Sequence, residues 1–145
     1  MSTNESLLSR AAALGAAPLC DVLGKRFSHR LHLQDVVGPP SASPLFGPAA
    51  TMRFLPVRPD LIDAQSQSFD ALAREAAGGA PDGAVLIAAA GQDQPVAGGK
   101  KLALVKALGF SGLLTDGRVR DLAEADDIGV PVWARARRCE TPTTC

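Results

Sequence analysis

The fold of this chain is decided by residues 96–121, VAGGKKLALVKALGFSGLLTDGRVRD. The pattern predicts a glycine turn, a helix over residues 100–108 and a short buried strand over residues 110–114. After its first turn the helix is apolar except for Lys106, which predicts burial on all sides. Gly109 is placed to end it, because glycine readily adopts the left-handed conformation found just past many helices.

The second half of the same stretch brings charge to the end of the strand. Asp116 and Gly117 are turn-forming residues, and we expect them to break the strand. Arg120 and Asp121 follow, at the expected start of the next helix. Open α/β sheets bind ligands beyond the carboxyl ends of their strands, so this pair is the first candidate for a site.

On either side of this stretch, helical and strand patterns alternate. Serine, threonine and glutamate at the start form a capping pattern for a first helix, which Gly15 would end. The other predicted elements are a helix over 19–23, a strand within 47–57, a helix capped by Asp60 and ending near Ala77, a strand over 84–90, a helix over about 119–128 and a strand over 130–134. Such alternation predicts an α/β fold with a parallel sheet.

Length and composition limit the function classes. The 145 residues are enough for one domain with a substantial core, which we assign to residues 1–138, with 139–145 as a flexible tail. Lys plus Arg and Asp plus Glu balance at 15 each, which argues against a nucleic-acid partner. No apolar run is long enough to cross a bilayer, and the start lacks a signal-peptide core, so we expect no membrane association.

The cysteines and histidines give little sign of a metal site. Three cysteines follow no metal-ligand spacing, and we expect free thiols in a cytoplasmic protein, with Cys20 in the core. His29 and His32 lie in an irregular stretch, and we expect them at the surface. No nucleophile elbow, Walker loop or dinucleotide fingerprint is present.

Arg120 and Asp121 are the residue types that a small keto acid requires. A guanidinium can hold a carboxylate by two hydrogen bonds, and a neighbouring carboxylate can hold a hard divalent cation. The alternative is an ordinary first helical turn, in which Asp121 favours the helix dipole and Arg120 is solvated.

Gly98, Gly99, Lys100 and Lys101 form the second candidate, because free amides at a helix start can bind an anion. Two lysines there oppose the helix dipole, which suggests that their charge serves a ligand. The alternative is that both lysines are merely solvated.

Several segments resemble the family named for regulator of ribonuclease activity A (RraA-like), which also contains metal-dependent 4-hydroxy-4-methyl-2-oxoglutarate aldolases. The most specific is the Asp-Gly-x-x-Arg-Asp segment that ends at Asp121. The other matching pieces occur in family order over residues 15–136: PLCDVL at 18–23, GPAATMR at 47–53, DGAVLI at 82–87, the Gly98-Gly99 turn with its helix, and VPVWAR at 130–135.

The resemblance implies a swivelling β/β/α-type domain, with N-terminal helices first, that assembles as a homotrimer or homohexamer with its site at a subunit interface. It implies that Arg120 binds a pyruvate-like carboxylate and that Asp121 binds Mg²⁺ or Mn²⁺, largely through waters. It also implies that the backbone amides of residues 98–101 complete the substrate-binding site. The implied activity is that of a lyase, in which the metal stabilises a pyruvate enolate. The implied substrates are small 2-keto acids, cleaved by retro-aldol reaction or, for oxaloacetate, by loss of CO₂.

This sequence differs from the aldolases of that family in two respects. They carry an aspartate where this chain has Gly99, and Asp93 and Asp116 are the acids that could substitute in space. The family also continues past the Val-Pro-Val-Trp strand into further strands, whereas this sequence ends at Cys145. Both differences favour an alternative, a non-catalytic regulator that binds another protein. A third possibility, suggested by the two lysines, is a pathway-specific enzyme that reuses the pocket.

Overall fold

The computed structural model describes residues 3–38, 43–55, 60, 63, 67–91 and 94–136. The chain divides into two compact units, Met1–Gln34 and Asp35–Cys145. The predicted flexible tail, with Cys139 and Cys145, lies outside the described residues, as does Asp93.

The first unit holds two helices, α1 (Thr3–Leu14) and α2 (Ala16–Arg26). Gly15 separates them with a φ of 78°, which confirms that it ends α1. Helix α2 is longer than predicted, since Pro18 falls within its first turn, where proline is tolerated. The prediction of Cys20 as a core residue is wrong: it is a half-buried free thiol on a helix with no buried residue.

The second unit is built on a five-stranded sheet in which every ladder is parallel. Its strands are β1 (Ala49–Arg53), β2 (Val85–Ala89), β3 (Pro95–Ala97), β4 (Gly112–Val119) and β5 (Val132–Ala136). The order is β1-β2-β4-β3, and β5 also pairs with β4. This confirms the predicted α/β class with a parallel sheet. Strand β3 escaped prediction because only three residues form it.

Three helices belong to this unit: α3 (Phe69–Gly79), α4 (Gly99–Ala107) and α5 (Leu122–Ile128). The prediction that Asp60 caps α3 is wrong, because the Ser68 side chain accepts a hydrogen bond of 3.2 Å from the Ala71 amide at the true start. Ile62, placed on the same predicted helix, lies outside the described residues.

One hydrophobic core joins the sheet to these helices. It includes Leu86, Leu113 and Val119 from the strands, together with Phe69, Ala73, Leu102, Val105 and Ala125 from the helices. The prediction that α4 is buried on all sides is wrong, since Ala103 and Ala107 are exposed. Alanine exposes little apolar surface and favours helix, so an apolar sequence here does not require burial all round.

The sequence predicted that the central strand breaks at Asp116 and Gly117, and this prediction is wrong. Strand β4 continues through both residues to Val119. A Cβ atom on Gly117 would lie 2.5 Å from Val96 Cγ2 and 2.7 Å from the Gln94 carbonyl oxygen. Glycine is therefore needed for the close approach of β3 and the chain before it, not for a turn. The ladder with β5 is irregular between Thr115 and Arg118, and at the same place β4 changes its partner from β2, paired up to Thr115, to β3, paired from Arg118.

The last strand is also shifted from its prediction, from residues 130–134 to Val132–Ala136. Arg135, which follows the predicted strand, is part of β5, and its guanidinium lies 3.3 Å from an Asp35 carboxylate oxygen. Residues 137 and 138, which the prediction assigned to the domain, lie outside the described residues.

Candidate functional site

The site is formed where β4 ends beside the turn between β3 and α4. The Arg120 amide donates a hydrogen bond of 3.1 Å to the Ala97 carbonyl, which fixes the end of β4 against this turn. Gly98 follows in an extended conformation, and α4 begins at Gly99. The first amides of a helix have no acceptor within it, so those of α4 are directed into this region.

A cleft of about 560 Å³ opens at this junction. It is lined by all six residues predicted as site residues, Gly98, Gly99, Lys100, Lys101, Arg120 and Asp121, and also by Glu124. The two candidates that the sequence offered separately therefore form one surface. Parallel strands place their carboxyl ends at one edge of the sheet, which is the physical reason for this meeting.

Gly98 allows Arg120 and Asp121 to lie directly over the backbone of the turn. A Cβ atom on Gly98 would lie 2.7 Å from Asp121 Oδ2 and 3.2 Å from both Cγ and Nε of Arg120. Its backbone is extended, with φ of −150°, so any residue could adopt its conformation. Glycine at this position therefore provides space for the two side chains.

Asp121 has an unusual backbone, with φ of 61° and ψ of 41° in the left-handed region. It occupies the N-cap position of α5, yet its side chain makes no capping hydrogen bond. A carboxylate at this position ordinarily accepts from the first amides of its own helix. Here it faces Gly98 and the cleft, so the ordinary helix-capping role does not explain it.

Arg120 and Asp121 form a loose ion pair, with 3.5 Å between Nε and Oδ2. The Arg120 side chain is 68% exposed and the Asp121 side chain is 44% exposed, so neither is buried by its contacts. An exposed pair at this distance contributes little to stability. Both groups remain accessible to a ligand in the cleft.

The two lysines differ in their surroundings. Lys101 Nζ donates a hydrogen bond of 2.9 Å to the Val96 carbonyl and lies 4.9 Å from the centroid of the Phe69 ring. Burial lowers the pKa of the Lys101 ammonium; Asp70 opposes this shift and Arg120 adds to it. Lys100 is exposed. Lys101 thus supports the turn, whereas Lys100 is the lysine that projects from it.

Glu124 also lines the cleft, although the sequence did not predict it as a site residue. A Cβ atom on Gly99 would collide with Glu124 Oε2 and lie 2.9 Å from its Cδ, so this carboxylate fills the space beside Gly99. The available signal was spacing: Asp121 and Glu124 are three residues apart at a helix start, which puts them on one face. Asp116 is committed elsewhere, since its Oδ1 accepts from the amides of Ala90 at 2.7 Å and Gly91 at 3.1 Å.

The described part of the cleft offers few protein ligands to a metal ion. No group of three or more His, Cys, Asp or Glu that could hold a metal occurs among the described residues. The half-exposed Asp121 carboxylate suits Mg²⁺ or Mn²⁺, which keep several waters and need one or two carboxylates.

His29 and His32 are exposed in the first unit, as predicted, with the His29 ring 5.6 Å from that of Phe27.

None of the helices among the described residues combines the length and apolarity that a bilayer crossing demands. Among curated proteins, none matches the chain significantly.

Solved structures with the same fold exist. RraAS2 of Streptomyces coelicolor, an unusual member of the RNase ES inhibitor RraA protein family, superposes with a TM-score of 0.67 at 23% identity, over 90% of this chain and 62% of that one. An uncharacterized protein of Pseudomonas syringae pv. tomato gives a TM-score of 0.69 at 23% identity, over 94% and 58%. The chain thus spans about three-fifths of their length, and at such identity the likeness establishes the fold alone.

The family itself is established by sequence. The model of the RraA-like family, described as Aldolase/RraA, matches residues 16–144, which include both compact units in large part and the entire cleft. This confirms the resemblance carried by the segment that ends in Arg120 and Asp121. The chain belongs to the RraA-like family.

Proposed function

We propose that this protein is a divalent-metal-dependent lyase that cleaves small 2-keto acids through a pyruvate enolate. The observation that carries the proposal is the meeting of Arg120, Asp121 and the start of α4 in one cleft. A cationic fork, an accessible carboxylate and free helix amides are together the groups that a 2-keto acid and its metal require. The family, which includes aldolases by its description, supports the same reaction class.

Arg120 binds the substrate carboxylate in this proposal. Its guanidinium is exposed at the cleft and can form two parallel hydrogen bonds to a planar carboxylate. The amides at the start of α4 face the same space and favour negative charge, because the helix dipole is positive at that end. They stabilise the oxygen on which charge develops as the enolate forms.

Asp121 would hold Mg²⁺ or Mn²⁺ with waters in the remaining positions. A bound cation would act as a Lewis acid on the 2-keto oxygen, the usual way in which such metals stabilise an enolate. Asp121 then supplies the negative charge that binds the cation. Its left-handed backbone conformation sets where this carboxylate lies in the cleft beside Arg120.

The experiment is pyruvate release from oxaloacetate and from 4-hydroxy-4-methyl-2-oxoglutarate with Mg²⁺. Wild type is compared with Asp121→Asn and Asp121→Ala. We expect both variants to lose at least 100-fold in kcat/KM. Asp127→Asn is the control, since Asp127 is an exposed acid on the same helix and does not line the cleft. Equal rates for wild type and the Asp121 variants would disprove the metal role.

The proposed assembly is a homotrimer or homohexamer with the cleft near a subunit interface. This follows the family resemblance and the accessibility of the cleft. Light scattering with and without Mg²⁺ tests it, and a monomer at micromolar concentration would disprove it.

A second candidate is a non-catalytic regulator that binds another protein, the function implied by the words RNase ES inhibitor for the S. coelicolor relative. Exposed apolar side chains on the first two helices favour it: Leu7, Leu14 and Val22 are each more than half exposed. Large exposed apolar side chains mark a protein-binding surface where they form a contiguous patch. Capture of a stable protein partner by a chain without turnover would favour this candidate over the lyase.

A further inference from the structure

Glu124 lies in the same cleft as Arg120 and Asp121, but none of the roles above uses it. It belongs to the first turn of α5, and its carboxylate fills the space into which a side chain on Gly99 would project. Glu124 and Asp121 are the two acidic residues that line the cleft among the described residues. The space beside Gly99 that has no side chain of its own is therefore occupied by the carboxylate of Glu124, which belongs to α5.

The two carboxylates have different surroundings. Asp121 is paired with Arg120 at 3.5 Å. The Glu124 carboxylate makes no ion pair or hydrogen bond with any other residue that the structure describes. Two acids in one site commonly take separate roles when their environments differ. The Glu124 carboxylate is thus an acceptor in the cleft, beside Gly99, that no described residue occupies.

We infer that Glu124 is the catalytic residue that accepts the hydroxyl proton when a 4-hydroxy-2-keto acid is cleaved; the inference rests on the proposed lyase function. The proton on the C4 hydroxyl passes to the Glu124 carboxylate, and the O–H electron pair forms the new C4=O bond. The C3–C4 bond breaks, and its electron pair becomes the enolate of pyruvate. The proton then returns to C3, which gives pyruvate and the second carbonyl product with all atoms balanced.

Decarboxylation of oxaloacetate makes a different demand on the same cleft. Its C3–C4 electron pair also becomes the pyruvate enolate, but CO₂ leaves and no hydroxyl proton has to be removed. One proton is then taken from water at C3. A residue that acts only as proton acceptor in aldol cleavage is thus dispensable for bond breaking in decarboxylation.

This difference gives a test that a structural role for Glu124 would not pass. We expect Glu124→Gln, which keeps the shape of the side chain, to lower kcat for 4-hydroxy-4-methyl-2-oxoglutarate ~100-fold or more, the usual contribution of a general base. KM should change little, and kcat for oxaloacetate should fall by a much smaller factor, because no hydroxyl proton has to be removed from that substrate. Equal losses on both substrates, or no loss on either, would overturn the inference.

Moving the carboxylate provides a second test. Because the Cβ direction of Gly99 points at the Glu124 carboxylate, Asp at position 99 should replace it once Glu124 is truncated. We expect Gly99→Asp combined with Glu124→Ala to recover at least tenfold of the aldol rate lost in Glu124→Ala, a part of the general-base contribution. Gly99→Asn in the same background should recover none, and equal recovery by both would count against a proton-transfer role.

Failure of the inference is distinguishable from failure of the proposed function. A wild-type protein active on both substrates, with Glu124→Gln equally active, overturns the role of Glu124 alone. A wild-type protein inactive on both substrates overturns the lyase proposal, and the role of Glu124 with it.

Discussion

Asp121 Oδ2 lies only 2.7 Å from the point where a Cβ atom on Gly98 would be. The end of β4 and the start of α4 are therefore in contact through a glycine, and the site exists because the backbone at this point carries no side chain. The two neighbouring glycines, Gly98 and Gly99, leave space for different side chains. Gly98 makes room for Arg120 and Asp121, whereas Gly99 makes room for Glu124.

Gly98→Ala should lower activity with little loss of stability. The new methyl group would meet side chains that are largely exposed, so they can move aside, and the extended backbone accepts alanine. We expect the free energy of unfolding to change by less than about 1 kcal/mol, while kcat/KM falls at least tenfold because small displacements of catalytic groups are costly. Urea unfolding and pyruvate release measure the two effects.

Gly78→Ala is the matched control for this substitution. Gly78 lies in α3 with nothing within 4 Å of its Cβ position. Alanine is the better helix former by about 0.5–1 kcal/mol, so this variant should be slightly more stable and fully active. A loss of activity in the control would show that glycine substitution acts generally rather than at the cleft.

Substitutions at Asp121 should rank by their tolerance of a left-handed backbone. With φ of 61°, the position favours glycine and asparagine, while alanine costs about 1 kcal/mol. We expect Asp121→Gly and Asp121→Asn to unfold near the wild-type midpoint and Asp121→Ala to unfold earlier. Thermal melts at constant pH measure this order, and a more stable Asp121→Ala would contradict the backbone assignment.

Thr115→Val should be strongly destabilising although the two side chains have nearly the same shape. The buried Thr115 hydroxyl donates to the Ala88 carbonyl at 2.6 Å and accepts from the Gly117 amide at 3.1 Å. Valine would remove both hydrogen bonds, including the one that the buried Gly117 amide donates, which costs about 2 kcal/mol in total. Chemical denaturation measures the loss.

Thr115→Ser serves as the comparison, because it keeps the hydroxyl and removes one buried methyl group, at about 1 kcal/mol. If valine were tolerated better than serine, packing rather than hydrogen bonding would hold β2 and β4 together at this point.

Lys101→Met should remove part of the pH dependence of stability. Because burial lowers the pKa of Lys101 in the folded state, the unfolded chain binds more protons in the alkaline range below about pH 10.4. The free energy of unfolding of wild type therefore rises with pH in that range, and the methionine variant lacks this contribution. Denaturation at pH 7 and pH 10 should show wild type gaining relative to the variant, and parallel curves would contradict the shift.

The alternation of helices and strands, and with it the α/β class, could be predicted because apolar periodicity and glycine placement are local properties of the chain. The site pair Arg120 and Asp121 could be located for the same reason, since a strand followed at once by charge is visible in one stretch. Strand β3 could not be predicted, because three residues carry no periodicity and its pairing partner lies beyond α4.

The errors share one cause, the use of local chemistry where distant contacts decide. Asp116 and Gly117 have turn chemistry, but Gly117 is required by the approach of β3, and Asp116 binds amides beyond the end of β2. Asp60 is a plausible cap, yet Ser68 is the residue that caps α3.

Local sequence was enough to predict the alternation of helices with the longer strands, and to place Arg120 and Asp121 between the central strand and the next helix, because these features depend on neighbours a few positions apart. Tertiary structure alone decided that the start of α4 and the end of β4 share one cleft, and that Glu124 stands beside Gly99. The reason is that the parallel ladders bring these segments together across the sheet edge, and no local pattern encodes which carboxylate will fill a space left by a glycine on another element.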